Sequence, residues 1–175
     1  MEKKRFINVV SLGDFCGPAQ ELERIGYRSF SMPFDWLVTA DWGKVVQLIY
    51  SHFEGFLDEK NLVQEVDVNP KYYYDKEFKI HFYHDFVAEK SLSEQLPKVK
   101  RKYQRRIDRF YQVIAEPTLF IRYSQSLQEI EDIAKNKEQY VELLRGYNPD
   151  NEIMLVCNRQ DADNKAVVRG GVCAS

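Results

Sequence analysis

The turn around Cys16 has the residue types and spacing best suited to chemistry in this sequence of 175 residues. Cys16 stands directly before a Gly-Pro pair and a short segment with apolar residues at helical spacing, so its thiol is expected at a helix N-terminus. The helix dipole and the unbonded N–H groups at such a position favour a thiolate and can hold an oxyanion. Cys16 is therefore a candidate nucleophile, although an unpaired cysteine is also often a small buried side chain. Ser11, Gly13 and Asp14 of the same turn are candidates for an oxyanion site or an alternative nucleophile.

The three histidines are the candidate bases, because a thiol nucleophile needs a base within hydrogen-bond reach. His52 falls on a predicted amphipathic helix, and His81 falls on the polar face of a predicted strand. By elimination, His84 at the end of that strand is the best candidate. A histidine that only caps a loop is an equally good interpretation of this position.

Short apolar strands that alternate with amphipathic helices predict the scaffold that positions these side chains. We expect strands at 6–10, 119–123 and 153–157 to lie parallel in one sheet, because each adjoins a helix of crossover length. Helices are predicted at 18–25, 42–53, 97–116 and 130–144, with a half-buried strand at 78–84, an edge strand within 61–69 and a tyrosine run at 72–74 packed over the core. This order favours an α/β fold with a mainly parallel sheet and helices on both faces.

Length and composition predict one α/β domain over residues 1–157, with 158–175 as an edge segment or flexible tail. Balanced charge, with 25 Lys and Arg against 27 Asp and Glu, predicts neither a nucleic-acid nor a membrane partner. The basic run at 98–109 covers polar faces of a predicted helix, which indicates a solvated surface.

The start of the chain lacks the pattern of a secretion signal, which favours a cytoplasmic location. The cysteines and histidines form no zinc pattern, so we expect no metal and no cofactor, and nothing predicts the oligomeric state.

The aromatic segment RSFSMPFDWL is expected to form a buried loop. Pro33 fixes an extended turn in it, and Asp35 is expected to pair with Arg28. These residues and Trp36 are thus predicted to have a structural or pocket-forming role. If residues 30–36 were exposed instead, the chain would be a non-catalytic binding domain with this loop as its recognition surface.

Four segments resemble one known family in their order and separation. They are VVSLGDFCGPAQEL (9–22), YRSFSMPFDWL (27–37), FYHDF (82–86) and LFIRY (119–123). Through the SLGxxC and SxPFDW patterns above all, the chain resembles a bacterial and viral family of putative papain-like cysteine peptidases, a domain of unknown function. The resemblance implies a hydrolase of peptides with Cys16 as nucleophile, His84 as base and Asp85 or Asp35 as orienting acid. A papain-like enzyme usually carries its cysteine at the start of a long helix and its histidine on an antiparallel sheet, whereas the pattern here predicts alternating strands and helices with a mainly parallel sheet.

The same strand-turn-helix also resembles the nucleophile loop of the SGNH esterase superfamily, in which a Gly-Asp-Ser block follows the first strand. On this resemblance Ser11, or Cys16 in place of the serine, would attack an ester or an acetylated sugar. That superfamily places an Asp-x-x-His pair near the C-terminus, and no histidine follows His84 in this sequence. The substrate is therefore expected to be either a peptide or an ester.

Overall fold

The fold, seen in a computed structural model, is described for residues 5–66, 72–87 and 89–157. The strands of this part are β1 (Asn8–Ser11), β2 (Val38–Thr39), β3 (Leu62–Glu65), β4 (Tyr72–Asp75), β5 (Ile80–Phe82), β6 (Thr118–Ser124) and β7 (Glu152–Cys157). The α-helices are α1 (Gly17–Arg24), α2 (Trp42–Tyr50), α3 (Leu92–Val113) and α4 (Leu127–Arg145), and a 3-10 helix spans Glu59–Asn61. In the described part of the chain, no helix is long and apolar enough to cross a membrane. The predicted edge segment or tail at 158–175 lies outside the described residues.

One sheet is parallel and has the order β1-β6-β7, which confirms the prediction for its three strands. Val10 lies opposite Phe120, and Phe120 lies opposite Ile153. All three side chains are buried, in keeping with the apolar character of strands that are covered by helices.

The second sheet is antiparallel and has the order β2-β5-β4-β3, so the prediction of a mainly parallel sheet is wrong. Strands β4 and β5 are joined by the four residues 76–79, and a connection this short can join only antiparallel neighbours. The tyrosine run forms β4 itself, with Tyr73 buried, rather than packing over the core. Strand β3 lies at the sheet edge, as the sequence indicated.

Helix α3 packs against both sheets and so joins them. Its Phe110 ring lies 6.3 Å from Phe120 of the parallel sheet, and its Tyr103 ring lies 6.1 Å from Phe82 of the antiparallel sheet, measured between centroids. Aromatic pairs at such separations stabilise a core beyond their burial alone. Helix α2 begins at Trp42, as the sequence predicted, and Asp41 caps it by accepting a hydrogen bond from the Lys44 N–H at 3.2 Å. Helices α3 and α4 begin five and three residues earlier than predicted, because Ser91 and Ser126 cap them.

A second connection between the sheets is polar and centres on Arg122 of β6, which is fully buried. Its Nη1 donates to the Leu12 carbonyl at 3.1 Å, and its Nη2 donates to the Thr39 carbonyl of β2 at 2.7 Å. The same guanidinium forms an ion pair with Glu129 of α4 at 2.7 Å. One side chain thus joins both sheets and the turn that follows β1.

We expect Arg122→Met to lower the free energy of unfolding by about 3–5 kcal/mol, because it leaves the Glu129 carboxylate and two buried carbonyl groups without their donor. Urea denaturation followed by circular dichroism measures the change. Arg24→Met is the matched control, since Arg24 also pairs with a glutamate but is mostly exposed, and its loss should stay below about 1 kcal/mol. Equal losses in the two variants would contradict a special role for Arg122.

Candidate active site

The turn after β1 is built from two consecutive left-handed residues, Gly13 with φ +83° and Asp14 with φ +79°. The buried Ser11 hydroxyl closes the turn by accepting a hydrogen bond from the Gly13 N–H at 3.2 Å. A Cβ atom on residue 13 would lie 2.5 Å from Thr39 Oγ1, so both the conformation and the close approach require glycine here.

Thr39 holds this turn against the antiparallel sheet. The Asp14 N–H donates to Thr39 Oγ1 at 3.1 Å, and the Thr39 N–H donates back to the Asp14 carbonyl at 3.0 Å. The amides of Gly13 and Asp14, which were predicted to be possible oxyanion donors, therefore already have acceptors. The Asp14 carboxylate accepts a hydrogen bond from Gln125 at 3.1 Å and also lies on the surface side of the turn.

Cys16 is the N-cap residue of α1, with the thiol partly exposed and free. Its side chain makes no capping hydrogen bond. Within the described residues, the N–H groups of Cys16, Gly17 and Ala19 have no acceptor, as the first N–H groups of a helix have none inside it. The structure therefore places a reachable sulfur beside unbonded amide donors, as the sequence predicted.

His84 lies two residues beyond β5 and is exposed, as expected for a strand-end residue. Its ring meets the Trp36 indole edge-to-face, with 6.1 Å between the centroids. Among the described residues, no hydrogen bond connects the imidazole to the Cys16 thiol. The other two histidines also have aromatic neighbours: His52 stacks on Tyr111, and His81 packs against Tyr72 and Tyr74. Burial lowers the pKa of His81.

Arg28 connects the surroundings of His84 with those of Cys16. Its guanidinium lies 5.4 Å from the centre of the Trp36 ring, and its Nε donates to the Ala19 carbonyl of α1 at 2.8 Å. The loop that carries Arg28 and Trp36 therefore contacts the helix of the thiol on one side and the imidazole on the other. Pro33 lies in the buried middle of this loop, together with Met32, Phe34 and Asp35, which confirms the predicted burial for this part. Phe30, at the start of the predicted buried segment, is instead 62% exposed.

The expected pair of Asp35 with Arg28 is present, at 3.4 Å. Asp35 is fully buried, and its Oδ2 accepts a stronger hydrogen bond from the Met32 N–H at 2.8 Å. Its Oδ1 has no partner among the described residues. Burial raises the pKa of Asp35 from its usual 3.8 to about 6, against the Met32 hydrogen bond and the Arg28 charge, which both lower it. Arg28 stabilises the charged form only weakly, because the contact is long and Arg28 also pairs with Glu23.

Asp85 directs its carboxylate to α3 rather than into solvent. One oxygen pairs with Lys102 and the other accepts a hydrogen bond from the Tyr103 hydroxyl at 2.9 Å. Burial, followed by the charge of Asp85, raises the pKa of Tyr103 well above its usual value, so the phenol remains a donor. Both carboxyl groups named as orienting acids thus have structural partners in this arrangement.

Sequence patterns did not identify Arg122, Thr39 and Glu129, which hold the turn of the candidate nucleophile. Arg122 offered one signal, since a charged residue in the middle of the apolar run LFIRY requires a buried partner. Nothing near it in the sequence identifies Thr39 as that partner. In the part of the chain that is described, no group of three or more His, Cys, Asp and Glu residues could hold a metal ion.

Comparison with known proteins gives one family. The model of a family described as putative papain-like cysteine peptidases matches residues 7–160. A curated relative, an uncharacterized protein of Acanthamoeba polyphaga mimivirus, is 28% identical over 133 residues, which is 65% of this chain and 60% of that protein. No solved structure matches.

We expect the buried carboxyl of Asp35 to make stability depend on pH. Because its pKa is raised in the folded state, the folded protein holds this proton between about pH 4 and pH 6 while the unfolded chain has lost it. This group therefore makes unfolding easier as the pH rises through that range. The free energy of unfolding of the wild type, relative to that of Asp35→Asn, should fall by about 2 kcal/mol from pH 4 to pH 7. Urea denaturation at both pH values measures it, and a constant or rising difference would contradict the prediction.

Proposed function

Because the chain belongs to the family of putative papain-like cysteine peptidases, we propose that it is a hydrolase that cleaves peptide bonds with Cys16 as its nucleophile. The observation that carries the proposal is the partly exposed thiol at the N-cap of α1, beside N–H groups without acceptors in the described part of the chain. A thiolate is favoured at this position, and the same donors suit the oxyanion of an acyl-transfer intermediate.

In the proposed reaction, Cys16 Sγ attacks the carbonyl carbon of the substrate, and the thiol proton passes to the imidazole of His84. The carbonyl oxygen becomes an oxyanion that accepts hydrogen bonds from the N–H groups at the start of α1. The C–N bond then breaks, and the leaving amine takes the proton from His84. A water molecule, with His84 as base, hydrolyses the thioester and restores the thiol.

The environment of His84 supports its role as the base. The ring is exposed and has an aromatic neighbour on one side, so its side chain is free to turn. It follows an antiparallel strand, as the histidine of a papain-like enzyme does, and the thiol lies at the start of a helix, although α1 has only eight residues. Hydrogen bonds between catalytic groups commonly form only when substrate is bound.

The environment of Ser11 argues against the esterase alternative, in which this serine attacks. Only 1% of Ser11 is exposed, and its hydroxyl accepts the Gly13 N–H that closes the turn. A nucleophile must reach the substrate, and Cys16 does so more readily from the same turn. The proposal therefore assigns the attack to sulfur.

We expect iodoacetamide to modify Cys16 faster than Cys157, because Cys16 combines access with a helix N-terminus whereas Cys157 is buried in β7. Peptide mapping by mass spectrometry measures both rates. Cys16→Ala should abolish cleavage of a fluorogenic peptide library, and His84→Ala should lower kcat by about 10²–10⁴-fold.

Ser11→Ala is the matched control from the same turn and should retain most of the hydrolysis. Retained activity in Cys16→Ala together with lost activity in Ser11→Ala would contradict the proposal and favour the esterase. Modification of Cys16 no faster than that of Cys157 would remove the basis for an activated thiol.

A further inference from the structure

A groove of about 550 Å³ lies beside His84, between the segment that follows β5 and helix α3. Its α3 side includes Lys98, Arg101 and Arg105, which are spaced three and four residues apart and so share one face of the helix. The candidate base thus lines a surface groove that has helix α3 as one wall. Cys16 is not among the residues that line this groove.

The wall of the groove concentrates positive charge in a chain that is slightly acidic overall. Helix α3 contains seven Lys and Arg residues against two Asp and Glu residues, whereas the whole chain has 25 against 27. Two groove cations have acidic partners, because Lys102 pairs with Asp85 and Lys90 lies 3.6 Å from Glu94. Lys98, Arg101 and Arg105 form no ion pair with any described residue. Their charges therefore remain available to a ligand. Three neighbouring cations without acidic partners among the described residues fit a binding surface better than they fit a helix face that is only solvated.

The shape and lining of the groove favour an extended peptide over a nucleic acid. From Lys98 to Arg105 the helix rises by about 10 Å, a length that roughly three residues of extended chain cover. Proteins that bind single-stranded nucleic acids stack bases on aromatic side chains. The lining of this groove has no Phe, Tyr or Trp, and its apolar members are Val87 and Val99.

We infer that this groove binds an anionic segment of the substrate, and that the substrate is an acidic peptide with carboxylate or phosphate side chains. The inference rests on the proposed function, because it treats the groove beside His84 as part of the substrate path. Lys98, Arg101 and Arg105 of α3 bind the acidic side chains, which brings the adjoining peptide bond near the imidazole of His84 in the same groove. Neutral peptides gain none of this attraction.

The test measures peptide binding in a full-length Cys16→Ala chain, so that the outcome does not depend on hydrolysis. Fluorescence anisotropy at low salt gives Kd for a fluorescein-labelled hexaglutamate, for the same peptide with phosphoserine in place of two glutamates, and for hexaglutamine. We expect both anionic peptides to bind and hexaglutamine to bind at least about tenfold more weakly, with an affinity that falls as salt is added. The tighter of the two anionic peptides identifies carboxylate or phosphate as the preferred group.

Charge reversal locates the site. Arg101→Glu/Arg105→Glu, at two exposed positions, should raise Kd for hexaglutamate by at least about tenfold. The matched control Lys76→Glu/Lys135→Glu makes the same change in net charge at exposed positions outside the groove, and should alter Kd by less than about twofold.

Three results would overturn the inference: equal affinity for hexaglutamine, equal effects of the two double variants, or displacement of hexaglutamate by a single-stranded oligonucleotide at lower concentration than by unlabelled hexaglutamate. Failure of the proposed function gives a different pattern. In that case the wild-type chain cleaves no peptide, while the Cys16→Ala chain still binds hexaglutamate through Arg101 and Arg105. The groove would then be an anion-binding site in a protein without peptidase activity.

Discussion

The buried guanidinium of Arg122 is the constraint on which the arrangement of this protein depends. A charge with no exposure to water must have its donors satisfied, because an unpaired buried charge costs several kcal/mol. The partners of Arg122 are the Glu129 carboxylate, the Leu12 carbonyl and two oxygen atoms of Thr39. Satisfying one side chain therefore sets where β2 meets the parallel sheet and how the turn of Cys16 leaves β1.

The parts of the fold that sequence could predict are those encoded by local patterns. Apolar runs identified the three parallel strands, the helical spacing of apolar residues identified the start of α2, and the proximity of Arg28 to Asp35 in sequence identified their pair. The sequence indicated β3 and β5 but not the antiparallel sheet that they join, because β2 is only two residues long and the tyrosine run of β4 was interpreted as packing over the core. The bond between Arg122 and Thr39 spans 83 residues, a separation at which no local spacing rule applies.

In the candidate site, too, local sequence patterns predicted some features and long-range contacts decided the others. The Gly-Pro pair after Cys16 predicted that this residue starts a helix, and the alternation of apolar and polar residues predicted that His84 follows a strand. Both patterns are local in the sequence. The direction of a carboxylate is decided instead by whatever packs against it. Asp85 is next to His84 in sequence, yet its oxygens bind Lys102 and Tyr103, because a buried carboxylate takes the donors that a neighbouring helix offers.

The contacts of Arg122 also determine the order in which the candidate site forms during synthesis of the chain. The turn that positions the thiol is made within the first sixteen residues, but the side chain that holds Leu12 lies 110 residues later in the chain. On the ribosome, the N-terminal part therefore emerges with its turn unsupported, and the support arrives only after α3 and β6 have been synthesised. A nascent or truncated chain that lacks β6 therefore holds Cys16 in a turn without the hydrogen bond from Arg122 to Leu12.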